Sequence, residues 1–100
     1  MDRPSTLLEQ TLAALRDAQD AARGIGVEFV GVVGSVARGE AGPTSDVDVV
    51  YDVTAEGHLW PLLGLVVDLE DRLGRRIDIV DRGMMRPERW DWMARDLVPL

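Results

Sequence analysis

Apolar residues recur at helical spacing early in the chain, at Leu8, Leu12, Leu15 and Ala22, and predict a helix with one buried face. Thr6 followed three residues later by Glu9 reads as a capping box, with Pro4 just upstream, and Gly24 and Gly26 stop the pattern. The period then changes. Val27 to Val33 is rich in β-branched residues and bounded by glycines, which predicts a strand. Gly34 to Pro43 is a Gly-rich turn containing one helical turn. From Asp46 to Val53 the chain alternates: Val47, Val49, Tyr51 and Val53 point one way, and Asp46, Asp48, Val50 and Asp52 the other. Trp60-Pro61 opens a second helix with a core stripe of Leu62, Val66, Leu69 and Leu73, ended by Gly74. Arg76 to Val80 is a third short strand. Arg86 to Leu97 reads as a last helix, with Trp90, Met93 and Leu97 on its core face and Pro99 closing it.

The order α-β-β-α-β-α, without repeat or linker, predicts a single α+β domain over residues 1–100. Its centre would be a small mixed sheet of three to four strands flanked by helices. Composition narrows the partners. Eighteen acidic against 11 basic residues leave a net charge of -7, and there is no lysine. A sequence-independent grip on nucleic acid needs a stripe of cations, so direct nucleic-acid binding is disfavoured. The absence of cysteine removes disulfides and thiolate metal sites. The apolar stretch around Trp60–Val67 is far shorter than the roughly 20 residues of a membrane span. The first residues lack the basic-then-apolar pattern of a secretory signal. A cytoplasmic protein is the expectation.

The chemistry concentrates in Gly34-Ser35-Val36-Ala37-Arg38-Gly39 and Ser45-Asp46-Val47-Asp48. Gly-Ser at the end of an apolar strand lets backbone approach a phosphate closely, and Ser35 adds a hydroxyl donor. The missing lysine and the glycine spacing exclude a P-loop. Asp46 and Asp48, two apart on a strand, put both carboxylates on one face about 7 Å apart. Asp78 interrupts the apolar run Ile77-Asp78-Ile79-Val80, and an adjacent strand would bring it beside the pair. Like charges at about 4 Å repel by roughly 4 kcal/mol at an effective dielectric of 20. A divalent cation or a proton would relieve that repulsion. Carboxylate oxygens with open positions suit magnesium bridging to phosphates, with manganese the alternative ion. Acidic residues on a strand's polar face are ordinarily just a solvated face. Gly-Ser followed at one fixed spacing by Asp-x-Asp, however, arises by chance in only about one chain in a thousand of this length.

Gly34-Ser35, ten intervening residues and then Asp46-x-Asp48 resemble the signature of the DNA polymerase β-like nucleotidyltransferases. The Ala37-Arg38-Gly39 and Thr44-Ser45 context and the short length resemble the minimal nucleotidyltransferases of prokaryotes, the MntA-type antitoxins. The resemblance implies the nucleotidyltransferase fold, with Asp46 and Asp48 as shared ligands of two magnesium ions. It implies Asp78 as a ligand of the catalytic metal and base for the incoming hydroxyl. It also implies Gly34 and Ser35 as the holders of an ATP triphosphate. The implied activity is transfer of AMP from ATP to a tyrosine of a HepT-type toxin, a helical ribonuclease of the HEPN group. Few residues follow Asp78, so the acceptor is expected on a partner. Two alternatives remain: an antitoxin acting by binding alone, and a nucleotidyltransferase acting on a small-molecule hydroxyl.

Other residues have weaker claims. Arg38 suits a phosphate and a nearby carboxylate such as Glu40 equally well. Gly39 reads as ending the helical turn, His58 as a surface residue, and Asp52 as solvated. Arg75 and Arg76 are expected to solvate a turn or pair with Asp71. Trp92 sits about 200° round the helix from Trp90, and with Met84 and Met85 it is a candidate partner-interface anchor. No base-reading pocket is legible.

Overall fold

The computed structural model describes residues 5–100. Pro4, which the sequence places just upstream of the first helix, lies outside the described residues. Helix α1 (Leu7–Ile25) starts as its sequence predicts: the Thr6 hydroxyl accepts from the Glu9 N–H at 3.1 Å. It runs through Gly24 and stops at Gly26, whose left-handed φ of 97° lets its N–H turn back to Ala22 and Arg23. Thr11, the buried polar residue of this helix, satisfies its hydroxyl on the Leu7 carbonyl at 2.7 Å.

Strand β1 (Val27–Val33) leads directly into the four-residue helix α2 (Gly34–Ala37), then β2 (Val47–Val53), helix α3 (Leu59–Leu73) and β3 (Ile77–Asp81). Helix α3 begins at Leu59, just before the expected Trp60-Pro61. Pro61 falls in its first turn, where an N–H has no intrahelical acceptor anyway. Gly74 ends α3 at φ 65°, as expected. With β4 (Val98–Pro99), the sheet has the order β3-β2-β1-β4, with β2 and β3 parallel and the other pairs antiparallel. This is a mixed four-stranded sheet in an α+β fold.

Alternation along the strands divides the sheet into two faces. Phe29, Val47, Val49, Tyr51 and Ile77 pack on Leu15 of α1 and on Leu62, Val66 and Leu69 of α3 in one core. Val53 continues the alternation but sits at the strand end and is exposed. β1 carries a bulge between Phe29 and Gly31. Beside it, Gln19 of α1 accepts from the Phe29 N–H at 2.8 Å and donates to the Phe29 carbonyl at 2.9 Å. The side-chain amide thus serves as a stand-in strand where β4 does not reach.

The C-terminal segment departs from the single helix expected over Arg86 to Leu97. After a 3-10 turn (Arg82–Met84), helix α4 spans only Pro87–Met93, a second 3-10 turn covers Ala94–Asp96, and Val98–Pro99 forms strand β4 against β1. Pro99 is therefore not a terminator but part of an edge strand, where proline's missing N–H is tolerated. Gly31 makes this docking possible, because a Cβ there would collide with the Val98 carbonyl and lie 2.9 Å from Pro99 Cα. Helix α4 buries no residue completely. Trp90, Met93 and Leu97 are half-buried instead of forming the predicted core face. The segment packs on the sheet's charged face, so its contacts are partly polar: Arg82 pairs with Asp52, and its guanidinium stacks 5.4 Å from the Trp90 ring. Asp52 is thus ion-paired, not simply solvated. Val50, on that same face, is fully buried. Among the described residues no helix is long and apolar enough to cross a membrane.

Candidate active site

The acidic residues collect where β1 ends and β2 and β3 begin. Strand register places Val33 opposite Asp48, and Asp48 opposite Asp78, in one row across three strands. Directly paired residues in a sheet project to the same face, and neighbouring strands lie about 4.8 Å apart. Asp78 thus lies beside the Asp46 and Asp48 pair, as an adjacent strand would bring it, and the register sets it opposite Asp48. Asp46 precedes the first ladder residue of β2 and is exposed, as is Asp78, whereas Asp48 is half-buried. Burial first, then the charges of Asp78 and Asp46, hold the Asp48 carboxyl above its ordinary range; Arg38 acts the other way.

Gly34 forms the corner between β1 and α2. Its φ of 77° favours glycine, and a Cβ at this position would collide with Oδ2 of Asp48. No side chain caps the first turn of α2, whose leading N–H groups have no intrahelical acceptor. Ser35 lies half-buried in that turn. Gly39 closes it at φ 74°, its N–H donating to the Val36 carbonyl at 3.2 Å.

Arg38 takes the carboxylate alternative and adds a second partner. It donates to Glu40 at 3.0 Å and to Asp96 at 2.8 Å. Asp96 is 58 residues away in sequence, so no local pattern signals that pair. Arg75 is a second residue whose place sequence reasoning missed. Instead of solvating a turn or meeting Asp71, it donates to the carbonyls of Gly42 at 2.7 Å and Ser45 at 3.1 Å. Ser45 also accepts from the Gly42 N–H at 2.8 Å. The loop that delivers Asp46 is therefore closed on itself and clipped from α3's end. His58 precedes α3, its Nδ1 3.2 Å from the Ala55 carbonyl, at the other end of β2.

Of the candidate interface residues, Met84, 83% exposed, and the half-buried Met85 line one cleft with Arg86, Arg89 and Met93, and Trp92, 65% exposed, lines another with Arg38. A further exposed apolar row, Leu59, Trp60, Leu63 and Val67, runs along the outer side of α3. The i, i+4 spacing of Leu59, Leu63 and Val67 carries that signal in the sequence.

Among the described residues no three His, Asp or Glu side chains converge as a closed metal cage. Magnesium requires less of a protein. It is typically held by one or two carboxylates, with phosphates and waters completing its octahedron. Asp48 and Asp78, register partners with hard oxygen donors, fit that demand, and Asp46 is close enough to raise the Asp48 pKa.

Residues 9–96 match the Nucleotidyltransferase domain family. A Thermococcus cleftensis protein named protein adenylyltransferase MntA is 39% identical over 73 residues, covering 73% of this chain and 74% of its own length. A Methanocaldococcus jannaschii protein, described as a candidate protein adenylyltransferase, is 32% identical over 73 residues, covering 73% of this chain and 78% of its own. A solved structure described as a candidate minimal nucleotidyltransferase superposes with a TM-score of 0.75 at 33% identity, over 99% of this chain and 100% of that one. With a family match spanning most of the chain and the same fold from end to end, the chain belongs to the nucleotidyltransferase family, among its minimal members.

Proposed function

We propose that this chain is a metal-dependent protein adenylyltransferase that moves AMP from ATP to a tyrosine of a HepT-type HEPN ribonuclease and thereby neutralises it. The observation that carries the chemistry is the row Val33, Asp48, Asp78 with the Gly34 corner closed onto Asp48. The protein acceptor is supported by the names of the relatives, both protein adenylyltransferases.

In this reading Asp46, Asp48 and Asp78 would hold two magnesium ions, with manganese as a substitute, and these would supply charge neutralisation for the triphosphate and Lewis acidity at its oxygens. Ser35 and the N–H groups of Gly34 and Ser35 hold the triphosphate at the open first turn of α2. Asp78 accepts the proton of the tyrosine hydroxyl as its oxygen attacks the α-phosphorus and pyrophosphate departs. Asp48, with its proton affinity raised by burial and by its neighbours, loses that repulsion when cations fill the site.

The test is to incubate the chain with magnesium, ATP and the HepT-type protein, then weigh that protein by intact-mass spectrometry. A gain of one or more AMP units, abolished by Asp46→Asn, is the expected result. A tight complex without mass gain would replace this reading with neutralisation by binding. Neither complex nor gain would turn attention to small-molecule hydroxyl acceptors.

A further inference from the structure

The cleft lined by Arg38, Trp92, Arg95 and Asp96 is used by no step above, although one of its residues acts on the carboxylate row. Arg38 connects the two: it stands one helical turn after Ser35, and its charge acts on the Asp48 carboxylate. Its Nε–H and one Nη1–H are engaged by Glu40 and Asp96, which hold the guanidinium in place and leave its flat faces as unused surface. Trp92 places an indole that is 65% exposed at the same cleft. Arg95 makes no ion pair among the described residues and adds a second positive charge to the lining of the cleft.

Aromatic rings and arginine planes are the surfaces on which nucleobases stack, and a free guanidinium beside them suits a phosphate attached to the same ligand. We infer that this cleft is the nucleobase subsite of the bound nucleoside triphosphate, with Trp92 and the face of Arg38 gripping the base and Arg95 offsetting phosphate charge. The inference rests on the nucleotidyl-transfer reading and deepens it by assigning where the base sits. It also gives Trp92 a different occupant from the partner protein suggested by its exposure alone. The Arg38–Asp96 pair then has a second consequence, because it ties the C-terminal segment carrying Trp92 to the α2 turn carrying Ser35. Both halves of the nucleotide would be held by one rigid unit.

Calorimetric titration of the full chain with magnesium and a non-transferable α,β-methylene ATP, alongside inorganic triphosphate, tests this without a partner. Stacking on an aromatic side chain typically gives a several-fold to hundred-fold effect on alanine substitution. Trp92→Ala is expected to weaken the ATP analogue about ten-fold and leave triphosphate unchanged, while Trp92→Phe stays close to the parent. Because Trp92 is exposed, both variants should fold, which circular dichroism verifies. Equal binding of the analogue by Trp92→Ala and parent would overturn the subsite, and so would equal weakening of analogue and triphosphate. An analogue affinity unchanged in Trp92→Ala, with a weaker complex with the acceptor protein, would overturn it in favour of protein docking. If the parent chain binds neither the analogue nor triphosphate, the nucleotidyl-transfer reading fails, and the subsite with it.

Discussion

The α-carbon of Gly34 faces the carboxylate of Asp48 so closely that a single methyl group at position 34 would strike Oδ2. The same glycine sits at φ 77°, so both the backbone and the space demand it. Gly34→Ala should therefore destabilise the chain by about 1–2 kcal/mol through the left-handed backbone alone. The collision should also displace Asp48 and lower nucleotide transfer at least ten-fold. Urea denaturation and intact-mass assays of the acceptor check the two effects separately.

Asp48 should behave as a destabilising acid in the folded chain. Its carboxyl lies above the ordinary value of 3.8, first because of burial and then because of Asp78 and Asp46. A raised acid contributes its stability below the unfolded value and loses it as pH rises through the folded value. In the absence of divalent ions, the chain's melting temperature should thus gain less from pH 4 to neutrality than that of Asp48→Asn. Asp48→Asn should be the more heat-stable protein at pH 7 and should transfer no AMP. Magnesium should raise the melting temperature of the parent and not of the variant. A variant less stable than the parent at neutral pH would show that Asp48 is already compensated.

Arg75 joins the end of α3 to the loop before Asp46 through two carbonyls. Truncation to alanine removes both bonds and should open the Gly39–Ser45 loop to protease while changing global stability by about 1 kcal/mol. Lysine offers a point charge without the guanidinium fork and should restore the loop only in part. Limited proteolysis followed by mass spectrometry reads this directly.

Gly31 admits the C-terminal strand. A methyl group there meets Val98 and Pro99, so Gly31→Ala should cost about 1–3 kcal/mol by overpacking or detach β4. Detachment would appear as rapid hydrogen exchange at the Leu100 amide, which donates to the Val30 carbonyl at 3.2 Å. Undiminished protection there, with unchanged stability, would contradict this role for Gly31.

Much of the fold is legible in local pattern. The α1 cap at Thr6, the alternation of β2, the α3 stripe and the stops at Gly26 and Gly74 all follow from spacing and backbone preference. The last segment is not. Trp90, Met93 and Leu97 share a helical face in the sequence, but α4 ends at Met93 because the chain must turn to reach β1. A two-residue strand held by Gly31 has too few positions to display a period of its own.

The candidate site divides along the same line. Sequence alone determined that Asp46, Asp48 and Asp78 fall on or beside strands with apolar neighbours facing away, and that Gly34-Ser35 ends a strand. These are consequences of a two-residue period and of glycine's freedom, which are local. Only the tertiary structure decided that Asp78 stands opposite Asp48, that Arg38 reaches Asp96, that Arg75 clips the Asp46 loop and that Trp92 borders Arg38. Those relations join residues tens of positions apart. Such pairs meet only after sheet register and helix packing have brought separate segments together, and no spacing along the chain encodes them.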